Sequence, residues 1–504
     1  MAHSSGSGRS LRPQHAASPP ALWPIAIGLV VLVALALRVQ AWSPFAASHP
    51  DELMQYAEQA NRLATGHGLR PWENRLGLRN SLIPQLLWLP FWLGRHFAPD
   101  TLTGYYLGRI WFEALTLLAL PGAWLLGAQV SRRHALVALF VVASWWESVL
   151  FSNLLLSESL ASALLLLGAG LLLGPEAGQR RLAAAGFVLG LGVLVRFQFG
   201  PFAALVLASA LWRRPGVFKP VLAGGIAAMA LGTLSDLVAG AVPFSWFFIN
   251  LDQNIAAGRA AGFGTSPPWH YLTDYYHHFG AAALLFIAGC ALASGARYRP
   301  LLLAALVHVA LHSLIAHKEY RFVWVASLFV LVLAAIGSVR VFDRLLEPHI
   351  HPRHLRTTSL FVALASWSLL SFASFEATGG YTSFRGGIAI TELAIDAARD
   401  PRICRLGVAN GLFYHTVPAL LPHPIPLSLA PKELIKNDQP LPPELVRGAN
   451  ALLMFDTLPK GGTAYRKITC RDLPTERVCL YLRPGPCAPD PLYDAQAALE
   501  REDM

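Results

Sequence analysis

Charge is what this sequence has least of. Only 14% of its 504 residues are Asp, Glu, Lys or Arg, against roughly 25% in an ordinary soluble domain. A soluble globular chain of this length is thereby excluded. Acids are the scarcer sign, 30 against 40 Lys and Arg. Cysteine is also rare: five in all, with no Cys-x-x-Cys pair, which argues against a thiolate zinc centre. No Gly-rich strand–turn–helix signature occurs, so no nucleotide-sugar fold is expected. Internal repeats, which transporters built on inverted halves would show, are absent too.

Apolar length is what the chain has instead. It is 54% hydrophobic, and its charges are spaced to leave runs of about 17–22 apolar residues, each enough to cross a bilayer. The fold class expected is a polytopic α-helical membrane protein. Residues 1–21 read as a disordered cytoplasmic tail. Span one, 22–41, reads as an uncleaved anchor, since cleavage after Phe45-Ala46-Ala47 would leave a frayed terminus. Further spans fall near 103–127, 135–152, 154–173, 183–199, 201–212, 221–242, 279–295, 301–316, 322–339 and 358–375. That makes about eleven in a membrane domain of 22–376. Leu82–Phe97, interrupted by Pro84 and Pro90, reads as interfacial.

Loop charge orients these spans. Arg132-Arg133, Arg180-Arg181, Arg213-Arg214 with Lys219, Arg297 with Arg299, and Arg340 through Arg356 occupy every second loop, which places them inside. The net charge of +10 follows from that bias and gives no argument for nucleic acid. Residues 43–100, 243–278, 317–321 and 377–504 then lie outside the cytoplasm.

Ser48-His49-Pro50-Asp51-Glu52 stands at the outer mouth of span one. One reading makes Ser48-x-x-Asp51 a capping box opening an amphipathic helix, with Leu53, Ala57, Ala60 and Ala64 on its apolar face and a Glu58–Arg62 pair. The other makes two adjacent carboxylates a site. Polar residues within spans favour the second: Arg109, Glu113, Glu147, Glu158, Arg196, Asp236 and His312 all fall in outer halves of helices, where they describe an outward polar pocket. Arg109 and Glu113, four apart, are expected to neutralise each other. A second outer cluster is His317-Lys318-Glu319-Tyr320-Arg321-Phe322. Its cations read either as snorkelling anchors or as site groups, and cations are disfavoured on that side. Pro268-Trp269-His270-Tyr271 reads as an interfacial belt or as a sugar-stacking surface.

Together these motifs resemble glycosyltransferase family twenty-two, the polyprenyl-phosphate-mannose-dependent mannosyltransferases of GPI-anchor and N-glycan assembly. The resemblance rests on His49-Pro50-Asp51-Glu52 with Gln55, Gly68 and Trp72-Glu73. It continues through Leu78-Arg79-Asn80-Ser81 with Pro84, Arg196, Asp236, and Gly264-Thr265-Ser266-Pro267-Pro268-Trp269-His270, to His317-Lys318-Glu319 with Arg321-Phe322. It spans roughly residues 22–340. Phe197 follows Arg196 where the family commonly has proline, and the region after Asp236 also departs from the pattern, so acceptor and sugar stay open.

The resemblance implies a GT-C-type architecture and an inverting hexosyl transfer, with mannose the favoured sugar. The donor would be a polyprenyl phosphate and the acceptor a lipid-linked glycan or glycolipid. Asp51 is expected as general base, with Glu52 positioning substrate or raising its neighbour's pKa as a like charge. Lys318, Arg321, Arg196 and His317 are the expected phosphate partners. His49, Gln55, Glu319, Trp269 and His270 are the expected substrate contacts. No cofactor is called for, and no metal: one histidine with two acids is a weak ligand set. A transporter or flippase of a polyprenyl-linked sugar is the alternative.

Residues 377–504 change character. Arg405-Leu406-Gly407-Val408 and Ala451–Phe455 read as buried strands and 390–399 as a helix, giving a small extracytoplasmic α/β domain. Four of the five cysteines lie here, an even count that allows three disulfide connectivities. Lys467–Cys470 and Val478–Tyr481 read as a hairpin with Asp472-Leu473-Pro474 opening its turn. A Cys470–Cys479 bond is therefore expected, leaving Cys404 for Cys487.

Overall fold

The computed structural model describes residues 22–174, 177–431, 439–473, 477–489 and 491–501. The expected tail, 1–21, and the expected turn residue Pro474 lie outside these. Helices occupy every stretch expected to span. By length and composition, six of the described helices are able to cross a membrane, with a seventh if Arg132–Ser144 and Trp146–Asn153 count as one bent span. The other expected spans are shorter helices, among them Ser157–Leu172, Gln179–Val195, Gly200–Arg213 and Arg299–Ser313.

Trp324–Leu346 is the hub of the bundle, buried along most of its length. That explains why its sequence is apolar on all faces rather than one. Elsewhere small residues allow close helix contact. Gly186 lies against the Val221 carbonyl and Gly224 against that of Ala183, so a Cβ at either position would collide with the facing backbone. These paired glycines let Gln179–Val195 and Phe218–Val238 touch along their backbones.

The bent span turns by 56° at Trp145. A break in a buried helix frees carbonyls that must find donors. Arg38, on the first helix Leu22–Ala41, supplies them. Its guanidinium donates to the carbonyls of Ala143 at 3.0 Å and Ser148 at 3.5 Å, on either side of the bend.

The C-terminal domain is a five-stranded sheet of order β2-β1-β3-β5-β4. Strands β1 (Leu406–Ala409), β2 (Leu427–Ala430) and β3 (Ala451–Phe455) run parallel, while β4 (Arg466–Asp472) and β5 (Arg477–Leu482) form an antiparallel hairpin. The first three are buried along almost their whole length, as parallel strands covered on both faces should be. Both expected disulfides are present, Cys470–Cys479 across the hairpin and Cys404–Cys487 just ahead of β1. Strand β2 has no counterpart in the sequence reading, because prolines precede a run of only four residues.

This domain sits on the loop that follows the first helix. Arg95, on Leu82–Phe97, donates to the carbonyls of Leu421 and Pro422. Glu58 accepts backbone N–H bonds from Leu69 at 2.7 Å and Ala419 at 2.8 Å. The expected Glu58–Arg62 pairing gives way to these bonds, and Arg62 donates to Gln59 instead. Buried N–H groups at two loop junctions need an acceptor more than the half-buried Arg62 guanidinium does.

Candidate active site

The motif at Asp51 opens a helix wound unusually wide, with a π-helical turn over Glu52–Ala57 continuing as Glu58–Thr65. Such turns occur often at functional sites. Successive residues point apart, so the two carboxylates separate. Glu52 is fully buried. One of its oxygens accepts from the backbone N–H of Ser48 at 2.8 Å and His49 at 3.2 Å, and the other from Leu155 N–H at 3.0 Å. Arg109 lies 3.6 Å away. The capping role thus belongs to Glu52, since Asp51 makes no capping hydrogen bond. Arg109 pairs with Glu52 and donates to the Asn153 carbonyl at 2.6 Å, not to Glu113 as its spacing suggests. A helix neighbour supplies a weaker match than a carboxylate already buried beside it.

Asp51 turns the other way, its side chain 19% exposed. Its Oδ2 accepts from Arg321 at 2.8 Å and its Oδ1 from the Gln55 amide at 2.9 Å. The same Gln55 nitrogen donates to Glu73 at 2.7 Å, so one amide bridges two carboxyl groups. Burial raises the Asp51 pKa, but Arg321 and Arg79 outweigh it and bring the group down to about 2. At Glu73 burial wins over Arg79 and, with the nearby Asp51 charge adding to it, carries the carboxyl up to about 7. The like-charge neighbour expected of Glu52 is therefore Glu73.

Arg321 is the centre of the cluster. Besides Asp51 it binds Glu319 at 2.6 and 3.2 Å and lies 3.7 Å from Glu158. Glu158 is shared with Arg196 at 3.1 Å, and both guanidiniums stand over the Phe322 ring. His49 and His317 approach Glu319 at 3.4 and 2.9 Å. Of the polar residues expected in one outward pocket, Glu158 and Arg196 reach this cluster. Asp236 instead accepts from Phe244 N–H and the Trp246 indole, Glu147 from the Trp145 indole, and His312 faces the His308 carbonyl.

Lys318 points elsewhere. Its ammonium donates to the carbonyls of Ser266 at 2.9 Å and Ile315 at 2.5 Å. With His317 against the Gly264 carbonyl and Ser266 N–H on that of Ala316, it stitches the 264–266 loop to the second motif. Trp269 is exposed and His270 faces Asp274 at 3.4 Å, both apart from the carboxylates. Beside the cluster a small open cleft is lined by Tyr56, Arg79, Asn80, Ser157, Arg196 and Asn250, among others. Glu73 and Arg79 had no role in the site expected from sequence, whereas Glu158 was expected in the outward pocket and is found in the cluster. The signal for Glu73 and Arg79 was their place in the motif string.

The model of the Alg9-like mannosyltransferase family matches residues 29–384. The chain belongs to that family. It is 29% identical over 165 residues to a Dol-P-Man:Man(7)GlcNAc(2)-PP-Dol alpha-1,6-mannosyltransferase of Drosophila melanogaster. It is 39% identical over 71 residues to GPI mannosyltransferase 3 of Trypanosoma brucei brucei. The matched segments cover 30% and 14% of this chain, but only 23% and 12% of those relatives. In fold it is similar to ArnT from Cupriavidus metallidurans, with a TM-score of 0.58 over 92% of this chain and 98% of that one at 16% identity. ArnT has also been solved bound to undecaprenyl phosphate. The architecture is the GT-C glycosyltransferase type: a multi-pass helical membrane domain carrying a small sheet domain.

Proposed function

We propose that the protein transfers mannose from a polyprenyl-phosphate donor to a lipid-linked glycan or glycolipid acceptor, with inversion at the anomeric carbon. Asp51 takes the proton of the acceptor hydroxyl as that oxygen attacks the sugar. The carbon–oxygen bond to the donor phosphate breaks, and the phosphate leaves with the electron pair. Arg321 and Arg196 counter its charge.

The observation that carries this reading is the Asp51–Arg321 pair at 2.8 Å. Arg321 keeps Asp51 ionised and aimed while the site is empty. A donor phosphate that draws Arg321 toward itself removes the partner that holds Asp51 at about 2, so the base strengthens as the leaving group is engaged. Glu319 orients Arg321 and the two histidines, and Glu52 holds the turn rather than touching substrate.

In this reading the reaction occurs on the extracytoplasmic face. Alternating Arg-rich loops support this, as do the two disulfides of the domain resting on the Asp51 loop. Purified protein given polyprenyl-phosphate mannose and a native lipid extract should yield a mannosylated glycolipid detected by mass spectrometry. Movement of the donor across a vesicle bilayer without any such product would identify a flippase instead. Labelling of Ser266→Cys by an impermeant thiol reagent on intact cells checks the side.

A further inference from the structure

Arg79 makes no hydrogen bond with any described residue, and its Nε is buried without one, although its charge acts on Asp51, Glu73 and Glu158 from a distance. The backbone on either side is nevertheless held firmly. Leu78 N–H donates to the Glu73 carbonyl at 2.8 Å, the Leu78 carbonyl accepts from Asn250 at 3.4 Å, and the Asn80 amide donates to the Leu194 carbonyl at 2.6 Å. A pinned backbone presenting an unpartnered guanidinium is costly unless something occupies it. Arg196 adds a second such atom: it is 7% exposed, its Nε is also unpartnered, and it lines the same cleft. Glu158 takes up its opposite edge. The walls add hydroxyl and amide groups from Tyr56, Ser157 and Asn250.

Two guanidiniums with free donors, converging on one cavity beside the reacting carboxylate, match a tetrahedral oxyanion. The other cations of the region are already engaged. Lys318 is spent on two backbone carbonyls, and Arg321 is shared among three carboxylates until a donor phosphate draws it from Asp51. The geometry points to the Arg79–Arg196 cleft as the binding site for the phosphate of a polyprenyl phosphate, with Arg79 as its principal ligand. This rests on the proposed donor class and shifts the phosphate away from Lys318 and His317.

The test is direct binding to full-length protein in nanodiscs, using undecaprenyl phosphate without sugar, undecaprenol, and inorganic phosphate as competitor. Wild type should bind the lipid phosphate, with undecaprenol much weaker. Inorganic phosphate should displace the lipid if its headgroup alone is recognised. Arg79→Gln should weaken lipid phosphate binding by about 10- to 100-fold, the size of a lost charge-assisted hydrogen bond, and leave undecaprenol unchanged. Arg79→Lys should fall between. Because no hydrogen bond depends on Arg79, both variants should fold without ligand, any loss of melting temperature being limited to its charge contact with Asp51 and Glu73. Unchanged binding by Arg79→Gln, or undecaprenol binding as tightly as its phosphate, would overturn the site. If Arg79→Gln fails to fold, Arg79→Lys binding like wild type would do the same. A wild type that binds in this way yet transfers no mannose would refute the proposed reaction and leave the site standing.

Discussion

Asp51 and Glu52 are neighbours in sequence and belong to different regions of the molecule. Below the turn, Glu52 is sealed among Ser48, His49, Leu155 and Arg109 with both oxygens occupied. Above it, Asp51 shares Arg321 with two other carboxylates and reaches solvent. The inner region uses charge to hold backbone in place, and the outer one keeps charge available for exchange. Both patterns occur wherever polar groups stand at the edge of a membrane domain, so a buried carboxylate is not by itself a catalytic one.

The largest effect should come from breaking the inner region. Glu52→Gln leaves Arg109 without its counter-charge and at least one buried N–H without an acceptor. We expect about 3–5 kcal/mol of lost stability, seen as a lower melting temperature, while the molecules still folded bind donor normally. A variant that melts like wild type but loses transfer would move Glu52 into the chemistry. Arg321→Gln breaks the outer region and should lower kcat by about 10²–10³-fold, with Arg321→Lys recovering part of it. Equal loss in both would mean that the planar fork, not the charge, is what matters.

Much of this was legible from the sequence. Apolar runs marked the helices, and nine-residue spacing within a hairpin marked Cys470–Cys479. The motif string brought Asp51, Arg196 and Arg321 together because it belongs to a known family. Direction was harder to read. Residues one apart in a helix diverge by about 100°, and nothing local says which of Asp51 and Glu52 faces inward. The Arg109–Glu52 and Lys318–Ser266 contacts join segments distant in the chain, so no spacing rule reaches them. Glu73 owes its role to Gln55, an amide whose two partners only the folded loop brings near.

Lys318→Ala sharpens the comparison on the cation side. As a stitch between loops it should cost about 1.5–3 kcal/mol and loosen the 264–266 segment in hydrogen exchange. Donor affinity should change by less than in Arg79→Gln, and the reverse order would return Lys318 to the phosphate. The smallest effect concerns pH. Glu73 faces Arg79, Asp51 and Gln55, and keeps its proton up to about pH 7 in the folded protein, whereas an unfolded carboxyl releases it near 4.5. Its contribution to stability is therefore full below 4.5 and is lost as pH rises through about 7. Ionised Glu73 is also a like charge beside Asp51, so kcat/KM should climb through the same range. Glu73→Gln should flatten both profiles, and an unaltered rate limb would assign it to another group.

The most direct measurement is single-turnover mannosyl transfer by Asp51→Asn, run beside donor binding and melting temperature. Asparagine preserves shape and can still meet Gln55, and no capping bond depends on Asp51. The account predicts transfer reduced by about 10²–10⁴-fold, with donor binding retained and the fold intact. Transfer at the wild-type rate in that variant would contradict Asp51 as the base.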